Sequence, residues 1–237
     1  MRYTMGNFIY FFKRLKAVSL GHGSILRTIR YNFNYLPWKC AIELPMLVGR
    51  NTKISGRGHI EISYPRKSNP HIYIGGKALQ WMDEREATVI RVDGLLRINE
   101  EIYIGKGCRF EIGEEGVLEL QKGTNFTGLS TVVCRNRITF GERDLISWNT
   151  LFMDSDAHTI VGADGKKNQS KSVTIDDHVW IGAKSTVLKG TYIGRDVVVA
   201  AGSIVHGKYK QTSCVIGGNP AVVIKNEITW DIGCPDR

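Results

Sequence analysis

Aliphatic residues recur every six positions along residues 175–205 without a miss: Ile175, Ile181, Val187, Ile193, Val199 and Val205. Four positions after each of the first five stands a small or β-branched residue: Val179, Ser185, Thr191, Val197 and Ser203. The same period runs upstream with slips. Leu120, Phe126, Val132 and Ile138 are spaced by six, and a two-residue shift then gives Phe140, Ile146 and Phe152. Ile98, Ile104 and Phe110 form a further set, and Ile112 and Leu118 follow. Residues 51–97 carry the pattern only in pieces, at Ile54–Ile60 and Ile72–Ile74.

A period of six is neither helical nor that of a simple strand. It predicts a flat strand and a tight turn in each unit, with three units closing a triangular coil of about eighteen residues. The aliphatic points inward, and the small residue four later points inward near a corner where bulk would clash. Glycine, Asn and Asp supply the turn conformations. Stacked coils then pair as parallel strands, so the fold class is all-β, a parallel β-helix with a short helical N-terminal segment. A solenoid needs capped ends. The expected organisation is a basic, aromatic, partly helical cap over 1–50, a hexapeptide-repeat β-helix over 51–218 with a loop at 159–172, and a C-terminal cap or tail over 219–237.

Three segments sharpen the reading: Ile146-Ser-Trp-Asn-Thr-Leu-Phe-Met-Asp-Ser-Asp-Ala-His158, then Val179-Trp-Ile-Gly-Ala183, then Ala200-Ala-Gly-Ser203 with Gly218-Asn-Pro-Ala221. With the repeat, they resemble the hexapeptide-repeat acyltransferases, and most of all the sugar and polysaccharide O-acetyltransferases of the maltose/galactoside type. The resemblance covers about 98–228. It implies a left-handed β-helix, acetyl-CoA as co-substrate, no metal and a homotrimer whose sites form between neighbouring solenoids. Spacing alone does not give the handedness, and the general right-handed crossover rule points the other way.

The regular sixes stop after Phe152 and resume near Val173, leaving a polar, glycine-containing excursion. A loop thrown out of a rigid solenoid is a usual place for a site. It begins at His158, and imidazole suits general-base work near neutral pH. His158 matches the family's catalytic histidine, and Asp156 or a backbone carbonyl would fix its tautomer. Trp180 is expected at an outward corner; the resemblance assigns it to the acceptor and cofactor pocket, with a subunit contact as a compatible reading. The resemblance also places an oxyanion-binding backbone N–H at Ala183 and a pantetheine contact at Ala201, with Gly182 giving the arm room. Lys225 matches a cationic cofactor position, and Lys208 is a second candidate for the coenzyme A phosphates. The sequence departs from relatives at Val222 and His206-Gly207, where Arg and Thr-Lys are frequent. It also lacks the Asn used by galactoside acetyltransferases near Thr127–Gly128. Asn149, expected near the face of His158, is the alternative acceptor contact.

Composition adds limits. The 237 residues are 42% hydrophobic and 23% charged, ordinary for a globular protein, and no apolar run reaches the length of a spanning helix. Five cysteines without a C-x-x-C pair read as free thiols in a reducing cytosol. Residues 1–50 carry eight basic side chains against Glu43, most of the net +9. With Phe8, Tyr10, Phe11 and Phe12, that segment offers a peripheral contact with the inner membrane face or packs as a solvated cap. No nucleic-acid motif accompanies it. The expected localisation is therefore cytoplasmic or peripheral at the membrane. The γ-class carbonic anhydrases share this solenoid, but His158, His178 and His206 lack the close pair their metal needs. The reading is an acetyl-CoA-dependent O-acetyltransferase acting on a sugar or glycan of a surface polysaccharide. An amino-sugar N-acetyltransferase and a non-enzymatic scaffold are the alternatives.

Overall fold

The computed structural model describes residues 23–63, 72–77 and 79–233. Phe8 to Phe12 and the basic residues up to Lys16 lie outside the described residues. The chain winds as a left-handed parallel β-helix with three flat faces. Face 1 runs from strand Met46–Val48 to strand Val215–Gly218 and closes on the antiparallel strand Ala221–Lys225. Face 2 runs from Thr52–Ser55 to Ile204–Val205, and face 3 from His59–Ser63 to Lys208–Tyr209.

The period of six becomes a ladder of inward side chains. Ile146 pairs with Ile181 and Ile181 with Val199 on face 1, while Phe152 pairs with Val187 and Val187 with Val205 on face 2. All are fully buried. The small residues four later, Val179, Ser185, Thr191, Val197 and Ser203, are buried at the corners. There Ser185 and Ser203 donate to the Ala200 carbonyl, and Thr191 donates to those of Leu188 and Val205. Hydroxyls rather than methyls suit these sites because they satisfy turn carbonyls that no ladder reaches.

The slips in the pattern have a simple cause. Most upstream strands are four or five residues long, such as Thr131–Cys134 and Arg137–Phe140, whereas those from Trp180–Ile181 to Lys208–Tyr209 are two. Each coil is longer there, so the frame of six moves while the inward positions stay in register. The first rung, Met46–Val48, lies upstream of residue 51. It sits under an N-terminal helix, α1 (Ile25–Tyr35), begun by Ser24, whose side chain accepts from the Arg27 amide. Asn32 accepts from the Met46 amide and donates to its carbonyl, and Thr28 accepts from the Val48 amide. The helix thus occupies the open edge of the first coil, which would otherwise template further strands.

Four phenylalanines plug the middle of the core. Phe110–Phe126, Phe126–Phe140 and Phe140–Phe152 meet edge to face with centroids 5.0, 5.0 and 4.9 Å apart. They lie at the level of the strand that leads into the loop, Leu151–Met153.

Candidate active site

The loop leaves the corner between faces 2 and 3, after Met153, and returns at Val173. Its root is Asp154, which is fully buried. The two carboxylate oxygens accept from the amides of Arg135 and Asn136, each at 2.7 Å, on the previous coil. The Asp154 carbonyl accepts from the Lys171 amide where the loop comes back. The outer part is a small hairpin, with Val161 bridged to Lys167 and the Gly162 amide bonded to the Lys166 carbonyl.

His158 is exposed on this loop. Among the described residues, nothing bonds its ring. Ala157, immediately before it, holds a left-handed φ of 60°, a conformation that costs a side-chain-bearing residue about 1 kcal/mol or more. Asp156 does not meet the imidazole. Its Oδ2 pairs with the Lys189 ammonium, one rung further on, and accepts from Asn168 Nδ2 at 2.5 Å. The same Asn168 amide donates to the His158 carbonyl at 3.1 Å. The Lys189 contact first, then Asn168, holds the Asp156 carboxyl below the usual carboxylate range. Asp156 therefore ties the loop to the body rather than fixing a tautomer. Sequence reasoning passed over Asp154, and it took Lys189 as a cation available to the coenzyme A phosphates rather than as the partner of Asp156.

Replacing Asp154 by Ala leaves the Arg135 and Asn136 amides without their acceptor, each lost bond to a charged group being worth about 1.5–3 kcal/mol. A stability loss of at least about 2 kcal/mol in urea is expected, together with faster tryptic cleavage after Lys166 or Lys167. Unchanged cleavage would show that the loop does not hang on this residue.

The cofactor candidates lie on another corner, between faces 1 and 2. Gly182, Ala183 and Lys184 stack over Ala200, Ala201 and Gly202, with the Gly182 amide on the Val199 carbonyl and the Gly202 amide on the Ala183 carbonyl. A Cβ at Gly182 would fall 2.6 Å from the Ala201 nitrogen, so glycine is required for the next rung to stack. Among the described residues, the amides of Ala183 and Ala201 meet no acceptor. Both are accessible: Ala183 is half-buried and Ala201 exposed. Asn149 stands on this corner too, at φ 57°, beside Trp148, whose carbonyl accepts from Lys184. Within one chain it lies with Ala183, not with His158, because all of face 2 intervenes.

Trp180 is not at a corner. It opens strand Trp180–Ile181 on the outer side of face 1, 38% exposed, and its indole N–H donates to Ser147 Oγ at 3.0 Å. The C-terminal tail turns back over it. Trp230 leans on Trp180 with centroids 6.0 Å apart and stacks on His178 at 4.2 Å and 9°. The His178 Nδ1 lies 2.7 Å from Asp196 Oδ1. Lys208 is exposed on the last strand of face 3, and Lys225 is exposed at the end of the antiparallel strand on face 1. The candidates thus occupy different sides of one solenoid. Among the described residues, no three His, Cys, Asp or Glu side chains gather as a metal-holding group. The Cys108 and Cys134 thiols are pushed up to about 12 by burial.

A model of the bacterial transferase hexapeptide, comprising six repeats, matches residues 172–207. The WbbJ protein of Escherichia coli (strain K12), named as a lipopolysaccharide biosynthesis O-acetyl transferase, is 30% identical over 146 residues. The match covers 57% of this chain and 74% of that protein. The chain belongs to the hexapeptide-repeat acyltransferase family. An uncharacterized 24.8 kDa protein in the cps region of Klebsiella pneumoniae is 26% identical over 199 residues, covering 84% of this chain and 86% of its own. Among solved structures, the polysialic acid O-acetyltransferase OatWY superposes with a TM-score of 0.58 at 23% identity. It covers 77% of this chain and 92% of its own, and the likeness is one of fold. Among the described residues no helix is long and apolar enough to cross a membrane.

Proposed function

We propose that this family member transfers an acetyl group from acetyl-CoA to a sugar hydroxyl of a surface polysaccharide or its precursor. One observation carries the reading. His158 is presented with an unbonded ring on a loop tied down at Asp154 and Asp156, which is how a general base is held ready for an incoming hydroxyl. The lipopolysaccharide role in the name of the WbbJ relative supports the acceptor class.

In the proposed reaction, His158 takes the proton of the acceptor hydroxyl as its oxygen attacks the thioester carbonyl. The oxyanion takes the open amide of Ala183 as donor. The C–S bond then breaks, and the imidazolium returns the proton to the leaving thiolate. Ala201 supplies a second open amide for the pantetheine arm, and Lys208 and Lys225 offer charge to the phosphates. Trp180, with its N–H spent on Ser147, walls the pocket with its ring. A cysteine nucleophile is a poor alternative, because the buried Cys108 and Cys134 thiols stay protonated.

His158 and Ala183 stand on different corners of one solenoid, so a single chain does not close this site. A homotrimer, with the loop of one solenoid against the corner of the next, completes it. Residues 159–172 serve as the site loop and the ends as caps in this reading, with the protein working in the cytoplasm or at the inner membrane face.

The test needs no acceptor. Acetyl-CoA at about 100 times its dissociation constant should stabilise the fold by about 2.7 kcal/mol, read as a rise in melting temperature. Thiol release with glycan and amino-sugar acceptors then separates O- from N-transfer. No rise at millimolar acetyl-CoA would remove the proposal and leave the scaffold reading.

A further inference from the structure

The corner that carries Ala183 and Ala201 continues towards the N-terminus, and its chemistry changes on the way. Backbone bonds stack Gly49 under Ile74, Lys106 over Gly76, Leu129 over Lys106 and Lys184 over Trp148. The tips of successive rungs are Arg50, Lys77, Lys106, Gly128, Trp148 and Ala183. At the first three the surface opens into a cavity of about 430 Å³. Side chains at Gly49 or Gly75 would collide with the neighbouring rung, so its floor is bare backbone.

The lining is cationic. Arg50, Lys77 and Lys106 face it with one carboxylate, Glu84. Lys77 is a loose 3.9 Å from the Glu84 carboxylate, which is itself 81% exposed. Lys106 gives one N–H to the Glu84 carbonyl at 3.1 Å and keeps two donors. Among the described residues, nothing bonds the Arg50 guanidinium. Three cations around one acid, each with donors to spare, suit a planar or tetrahedral oxyanion.

Between this cavity and Ala183 stands an aromatic pair. Trp148 is half-buried, and Trp81 meets it edge-on at 6.0 Å while remaining 59% exposed. An exposed indole beside a polar groove offers an apolar face to a partner with both characters. At the spacing of neighbouring strands, Lys106 lies three rungs, ~14 Å, from Ala183, and Arg50 lies five rungs, ~24 Å.

We propose that the cavity holds a carboxylate or phosphate group of the acceptor, which is an anionic oligosaccharide laid along this corner past Trp148. The cations read a charged unit a few sugars away from the hydroxyl that reacts at the Ala183 end. This deepens the acetyl-transfer reading and rests on it only for the chemistry at that end.

The test is direct binding of the full-length protein, without acetyl-CoA, to maltohexaose, hexagalacturonate, oligosialate and a hexameric ribitol phosphate. At least one anionic probe should bind 10-fold or more tighter than maltohexaose, and added salt should weaken it. The preferred probe tells carboxylate from phosphate. Arg50→Ser/Lys77→Ser/Lys106→Ser should lose 10-fold or more of that affinity. Arg50→Glu alone, at an exposed site whose guanidinium bonds nothing among the described residues, should weaken it in the same direction. Equal binding of neutral and anionic probes, or unchanged binding by both variants, overturns the proposal. The acetyl-CoA melting shift distinguishes the two readings: if it persists in wild type while anionic binding fails, only this inference falls.

Discussion

His158→Ala is expected to lower acetyl transfer by about 10²–10⁴-fold, the range for a positioned general base. The melting temperature should stay close to that of wild type, because the ring is exposed and bonds nothing among the described residues. The acetyl-CoA shift should also survive, since the base acts on the acceptor and Ala183 and Ala201 lie on a different corner. Loss of turnover with both thermal properties retained separates a catalytic role from a structural one. Thiol release from acetyl-CoA with a competent acceptor is the readout. A variant that keeps more than about a tenth of the wild-type rate would leave the imidazole without its assigned step. The His178–Asp196 pair would then be the next base to test.

Phe126→Ala should produce the largest loss of stability, about 3–5 kcal/mol by chemical denaturation, as deletion of a buried aromatic does. Phe126 is fully buried and touches Phe110, Phe140 and Phe152. Its neighbours sit on fixed parallel strands, two residues from the next corner in the short ones, so they have little freedom to close the cavity. Phe126→Leu should cost clearly less, because it keeps most of the volume. The effect reaches function as well. Phe152 is packed in the same plug and precedes Asp154 by two residues, so the plug supports the root of the loop that carries His158. A loss under about 1 kcal/mol for Phe126→Ala would mean that the coils collapse onto the space, contrary to a rigid stack.

How much was legible depends on how local the cause is. The inward ladder of Ile175 to Val205 is written directly in the sequence, because a strand alternates its side chains and each coil repeats the environment of the last. So are the corner hydroxyls, the interrupted period that marks the loop, and the odd exposure of Trp180. Residues 51–97 hid their coils because strands of four and five residues, such as Thr88–Val92 and Leu95–Asn99, spoil the count of six without changing what points inward. The position of Trp180 on a strand instead of a corner is a one-residue question, finer than the pattern resolves.

The sequence by itself determined the stacked coils, the family and the emergence of His158 at the start of a loop, because each depends on residues close together in the chain or in the repeat. Only the tertiary structure decided which partners meet. Asp156 pairs with Lys189 and Asn168 rather than His158, since a solenoid sets each corner beside the same corner of the next coil. Trp230 reaches His178 and Trp180 because the tail reverses after Pro220. Arg50, Lys77 and Lys106 line one cavity because coils of unequal length bring them to one corner. Such contacts join residues far apart in sequence, and their neighbourhood is set by the number of residues in each turn of the coil, which no local pattern records.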